Sequence, residues 1–179
     1  SGSLTPRLFA LQPGDRLWMG PKITGTFTLD NASRDHHLVL VATGTGLAPY
    51  MSMFRTMLPT SEGRRVAALL GARHSWDLGY HSELATMERL CPSFLYLPTI
   101  SRPDDEVVPW AGRTGYVMEL WKSGAVREHW GLKPSPDDTS VFLCGSPAMI
   151  DDMCTMLVTQ GFREHTKNAP GQIFVERYW

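Results

Sequence analysis

The run His37-Leu38-Val39-Leu40-Val41-Ala42 passes directly into Thr43-Gly44-Thr45-Gly46, and Leu47-Ala48-Pro49 follows at once. A continuous apolar run of this length predicts a strand buried on both faces. Gly44 and Gly46 let the backbone turn tightly and approach a ligand with no Cβ in the way. Beyond them, residues 47–58 read as a helix with Leu47, Met51, Phe54 and Leu58 on one face. Its N-terminus offers unpaired N–H groups and a positive dipole end to a phosphate. Pro49 within the first turn costs little. The spacing is not G-x-G-x-x-G, because Pro49 stands where the third glycine would be, and no G-K-[ST] follows to make a Walker loop. Taken alone, the turn also fits an ordinary strand-to-helix connection.

Working outward, the same alternation repeats. Strands are expected at Val66 to Leu70, Phe94 to Leu97, Ser140 to Cys144 and Gln172 to Val175. Helices are expected at Ser82 to Leu90 with Ser82 as N-cap, at Tyr116 to Lys122, at Ala125 to Trp130, and at Pro147 to Thr159 with proline in its favoured first turn. Ser101 to Arg113, rich in Pro, Asp and Arg, reads as a loop. Strands alternating with helices imply an α/β fold: a doubly wound, mainly parallel five-stranded sheet. Upstream the pattern differs. Gly14-Asp15 marks a turn between stretches, Arg16 to Met19 and Thr26 to Leu29 read as strands, and Asn31 to Asp35 as a linker. Residues 1–33 therefore read as the end of a β domain and residues 34–179 as the α/β domain.

Composition narrows the function classes. The chain has 179 residues, 42% hydrophobic and 20% charged, as in a soluble globular protein of one domain with part of a second. A formal net charge of −1 gives no electrostatic case for nucleic acid or an acidic membrane. Cys91, Cys144 and Cys154 form no C-x-x-C pair, which argues against a disulfide framework or a zinc ribbon and fits reduced thiols in the cytoplasm. No apolar run approaches a membrane span, and the first residues do not read as a signal peptide. His36 and His37, adjacent on a strand, point to opposite faces and suit no shared metal. Met51, Met53 and Met57 are read as core packing, and no G-x-S-x-G elbow occurs.

In parallel sheets ligands bind beyond the carboxyl ends of the strands. The second strand is followed by Gly71-Ala72-Arg73-His74, the third by Thr99-Ile100-Ser101-Arg102 with Arg113 further on. Three arginines at neighbouring strand ends suit a phosphate, whose oxygens pair with their N–H forks; each by itself also suits a solvated surface. The fourth strand ends in Leu143-Cys144-Gly145-Ser146-Pro147. Cys144 is a candidate for the reacting end of a ligand, or a small buried thiol.

Together these strings resemble the ferredoxin–NADP⁺ reductase superfamily. Ala42 to Pro49 is similar to its pyrophosphate motif. Gly71-Ala72-Arg73-His74 with Asp77-Leu78-Gly79-Tyr80 is similar to its second nucleotide motif. Leu143 to Met149 is similar to its C-G-x-P-x-M motif by the nicotinamide, and Val175-Glu176-Arg177-Tyr178-Trp179 to the aromatic end of the bacterial reductases. The resemblance covers nearly the whole chain. It implies that Thr43, Gly44, Thr45, Gly46 and Pro49 form the pyrophosphate turn. Arg73, Arg102 and Arg113 would take the adenosine 2′-phosphate, and Cys144 and Gly145 would flank the nicotinamide. Glu176 would lie by the flavin edge. Arginines without a matching acid imply NADP(H) rather than NAD. The opening stretch resembles a flavin segment in which Thr5 would meet the FAD pyrophosphate, ahead of the last strands of an antiparallel β-barrel; Tyr178 and Trp179 would lie against the flavin or its adenine. No R-x-Y-S/T flavin motif precedes Ser1, so this piece is expected to hold FAD weakly.

The implied activity of the parent enzyme is hydride transfer between NADPH and FAD, coupled to one-electron exchange with ferredoxin or flavodoxin. Cys144 and Glu176 would be the catalytic pair. Two other readings stay open: the reductase component of an oxygenase or flavohaemoglobin-type protein, and a nucleotide-binding module without catalysis.

Overall fold

Three seven-residue strands, β1 (His37–Thr43), β2 (Val66–Ala72) and β3 (Phe94–Ile100), form the middle of the sheet in a computed structural model that describes residues 4–22, 24–58 and 63–177. Their composition explains them: nearly every side chain is buried, because helices cover both faces. A two-residue strand β4 (Arg113–Thr114) lies outside β3, and β5 (Thr139–Cys144) and β6 (Ile173–Glu176) lie on the other flank of β1. The order is β4-β3-β2-β1-β5-β6 and every pairing is parallel.

Helices α1 (Thr5–Phe9), α2 (Leu47–Met57), α3 (His81–Leu90), α4 (Val117–Lys122), α5 (Ala125–Trp130) and α6 (Pro147–Thr159) complete the chain. Alternation along β1 divides the core. Leu38, Leu40 and Ala42 pack with α2 and α3, while Val39 and Val41 pack with α4, α5 and α6. A one-residue slip of β1 would exchange these two sets, so the register is strongly specified. On α2 the expected face is buried, Leu47, Met51, Phe54 and Leu58 all turning inward, with Tyr50 beside them. Met51 is in the core and Met53 and Met57 pack against it.

Several expectations are corrected. The sheet has six strands, not five; β4 begins at the last residue of the stretch read as a loop. Helix α3 starts at His81, preceded by Tyr80 in the left-handed region at φ 54°, so Ser82 lies inside the first turn and is no cap. The strands expected at Arg16 to Met19 and Thr26 to Leu29 are not formed. Strand composition is not enough: a strand needs a neighbour for its N–H and C=O groups. Among the described residues these stretches pair with none, and Trp18 is 93% exposed. Phe27 instead sets its ring against Tyr50 and Phe142, at centroid distances of 6.0 and 5.6 Å. A 3-10 turn at Leu29–Asn31 follows, and Ala32 is buried in the same core. Among the described residues, no helix is long and apolar enough to cross a membrane.

Candidate functional site

The chain winds from β1 outward through β2, β3 and β4, then returns to lay β5 and β6 on the opposite side of β1. Connections therefore leave β1 and β5 in opposite directions, which opens a crevice over their carboxyl ends. The register brings the expected residues to this edge. Thr43 lies opposite Gly71, Ala42 opposite Cys144, Cys144 opposite Glu176, and Thr99 opposite Arg113.

After β1 the chain makes a 3-10 turn at Gly44–Gly46 and enters α2 directly. Gly44 has φ 55° and open space around the position of a Cβ, so its backbone is exposed toward the crevice. Gly46 is required for a different reason. A Cβ there would overlap the Cys144 carbonyl and stand 2.8 Å from the Gly145 nitrogen. Gly145 is required in turn, since its Cβ would come within 2.8 Å of the Thr43 nitrogen and the Met149 methyl. The turn after β1 is thus seated on the end of β5, backbone against backbone. The Ser146 N–H donates to the Thr43 hydroxyl at 2.9 Å, which ties the same two segments. Gly46 brings no side chain to the first N–H groups of α2, leaving that helix end available to an anion. Pro49 sits on the flank of α2, lining a groove with Phe27 and Met53.

At the other end of the edge, the β2–β3 pairing continues past both strands. Ser101 N–H donates to Ala72 O at 3.0 Å and Arg102 N–H to Arg73 O at 2.9 Å. Arg73 and Arg102 therefore leave the sheet side by side, with Arg113 on β4 beyond. All three are exposed and make no side-chain hydrogen bond or ion pair with another described residue. Their surroundings are acidic. The His74 ring has Nδ1 3.2 Å from Asp77 and Nε2 3.5 Å from Asp105, and it stacks on Trp76 at 4.4 Å. Glu106 accepts the Ser75 N–H at 2.7 Å and the Ser75 hydroxyl at 2.6 Å. Neither Ser75 nor Glu106 stands out in the sequence. Their bond joins positions 31 apart, and the Pro- and Asp-rich composition of that stretch signals only a loop.

On the far side of the glycine turn from the arginines lies the thiol. Cys144, 1% exposed, points its Sγ at Glu176 Oε2, 3.8 Å away, and Glu176 is half-buried. A second thiol, Cys154 of α6 on the opposite face of the sheet, is pushed up to about 11 by burial, which favours its protonated form. Thr5 stands apart, in the first turn of exposed α1, a helix with no buried residue. Tyr178 and Trp179 lie outside the described residues.

An open parallel sheet with a glycine turn at its switch point, arginines at one end of that edge and a thiol–carboxylate pair at the other, defines a dinucleotide-binding α/β domain. The family model described as the oxidoreductase NAD-binding domain matches residues 40–155. Ferredoxin–NADP reductase of Azotobacter vinelandii is 30% identical over 99% of this chain and 70% of its own length. Flavodoxin/ferredoxin–NADP reductase of Escherichia coli K12 is 29% identical over 99% of this chain and 71% of its own. The crystal structure of a ferredoxin NADP⁺ reductase from Neisseria gonorrhoeae with bound FAD and NADP superposes with a TM-score of 0.81 at 24% identity, covering 98% of this chain and 69% of that one. The chain belongs to the oxidoreductase NAD-binding domain family, and within it to the ferredoxin/flavodoxin–NADP reductases.

Proposed function

We propose that this chain holds NADP(H) along the carboxyl edge of its sheet and serves hydride exchange between NADPH and FAD in the intact reductase, coupled to one-electron exchange with ferredoxin or flavodoxin. One observation carries the reading: the glycine turn is seated directly on the Cys144–Gly145 backbone, while Arg73 and Arg102, without a side-chain partner among the described residues, stand side by side one and two strands away. Neighbouring strands lie ~4.8 Å apart, so the edge from Arg102 to Glu176 spans roughly 19 Å, room for an extended dinucleotide.

Backbone N–H groups of residues 43–46 and the α2 N-terminus would hold the pyrophosphate. The Thr43 hydroxyl, engaged by Ser146, acts by fixing this turn rather than by contact with the phosphate. Arg73, Arg102 and Arg113 would take the 2′-phosphate. In the third-strand loop Glu106 has both oxygens committed to Ser75 and Asp105 faces His74, which favours NADP(H) over a nucleotide recognised through its ribose hydroxyls. Cys144 would bound the nicotinamide pocket, with Glu176 holding the thiol proton away from the ring. Binding and orientation are the protein's contribution. Isothermal titration checks the reading: NADP⁺ should bind at least about tenfold tighter than NAD⁺, as a charge-assisted contact requires. Equal affinities would sink it.

FAD supplies the hydride acceptor that can release electrons singly. The described residues do not assemble a site for it. Thr5 is exposed on a five-residue helix, and residues 11–22 and 24–27 contain no paired strand. We infer that residues 1–33 belong with a flavin domain and residues 34–179 with the nucleotide domain. The chain alone should then bind FAD weakly, with no stoichiometric quenching of flavin fluorescence on titration. Tight one-to-one quenching would reject that division of labour.

A further inference from the structure

Glu106 is an acid placed among arginines that this reading gives to a phosphate. Asp77, Asp104 and Asp105 add to the negative charge there, so on electrostatics alone Glu106 should weaken the site it adjoins. Its geometry says otherwise. Both carboxylate oxygens are engaged by one residue, Ser75, through an N–H at 2.7 Å and a hydroxyl at 2.6 Å. These are the short distances of charge-assisted bonds. Ser75 lies two residues after Arg73, and Glu106 four after Arg102, across the 3-10 turn Pro103–Asp105. The Arg102 N–H to Arg73 O bond closes the near side of the same ring of chain. His74, between Asp77 and Asp105, adds a weaker link across it. The two loops bearing the arginines are therefore pinned together at two points, at the arginines' own backbone and again a few residues beyond it.

We propose that Glu106 is a positioning residue for nucleotide specificity: by clamping Ser75 it fixes the directions in which Arg73 and Arg102 leave the sheet, and so sets affinity for a 2′-phosphate. This rests on the NADP(H) reading above. The clamp lets the loops enter binding already ordered, so the side-chain and loop ordering that binding otherwise costs is reduced.

The test is calorimetric titration of the 179-residue chain with adenosine 2′,5′-bisphosphate and with 5′-AMP, which differ only in the 2′-phosphate. Glu106→Ala should weaken the bisphosphate at least about fivefold and leave 5′-AMP within about twofold. Glu106→Gln should restore most of the loss. Its amide oxygen can accept the Ser75 N–H while its NH₂ donates to the hydroxyl. Ser75→Ala should give a smaller loss in the same direction, and it carries the test should Glu106→Ala not fold. The double variant Ser75→Ala/Glu106→Ala should be no worse than Glu106→Ala alone, because Glu106→Ala already removes both bonds to Ser75. Tighter bisphosphate binding in Glu106→Ala would mean that Glu106 only repels the phosphate, and would overturn the proposal. Equal loss for both ligands, or no change, would overturn it too. If Arg73→Ala removes the preference for the bisphosphate while Glu106→Ala keeps it, the clamp is wrong and the phosphate site stands. If the unaltered chain shows no preference, both fall.

Discussion

Gly46→Ala should destabilise the chain by about 3 kcal/mol or more and abolish measurable NADP⁺ binding, at the upper end of what overpacking costs. The added methyl meets backbone, not a side chain that could swing aside. It overlaps the Cys144 carbonyl and stands 2.8 Å from the Gly145 nitrogen. Relief requires the β1 turn to lift from the end of β5, which would also pull Thr43 from the Ser146 N–H. The nucleotide crevice would be pried open at its centre. Gly44→Ala is the control. There the space is open but φ is 55°, so the loss should be about 1–2 kcal/mol, the cost of a left-handed residue. Urea unfolding ranks the two. A Gly46→Ala chain as stable as Gly44→Ala would show that the two turns are not interlocked.

Arg73→Ala should weaken NADP⁺ binding at least tenfold and leave NAD⁺ binding nearly unchanged. A charge-assisted hydrogen bond contributes about 1.5–3 kcal/mol, equivalent to roughly 10- to 150-fold in affinity. The guanidinium is exposed, with no partner in another described residue, so its removal disturbs no internal contact and stability should hold. Arg73→Lys should recover only part, since an ammonium cannot offer the paired N–H fork. Competitive titration of both nucleotides decides the matter; parallel losses would assign Arg73 to a group the two share.

Much of this fold is legible in the chain itself because burial on both faces leaves a plain mark. The apolar runs behind β1, β2, β3 and β5 each announce a covered strand. The two-residue β4 leaves no such mark. Arg113 and Thr114 are exposed, and they are a strand only because Thr99 and Ile100 lie beside them. The converse holds near the N-terminus, where Leu17, Trp18 and Thr26 to Leu29 have strand composition but find no pairing neighbour among the described residues. The site divides in the same way. Gly44, Gly46, Arg73, Cys144 and Glu176 follow from local motifs, and the register gathers them on one edge. The Glu106–Ser75 clamp and the Thr43–Ser146 tie join distant positions with ordinary polar residues, so only the folded chain displays them.

The placement of β1 between β2 and β5 bears on how the chain is made. β1 can acquire β2 early, but its other flank waits for residues about a hundred positions later, as the 103-residue span from Thr43 to Ser146 shows. A nascent chain leaving the ribosome therefore carries Leu38 to Ala42 with an open hydrogen-bonding edge until β5 emerges. Slow, non-local closure of this kind exposes apolar surface during synthesis. The cleft is thus the last part of the sheet to be built, and premature termination before Ser140 would release a sticky half-sheet rather than a weaker enzyme.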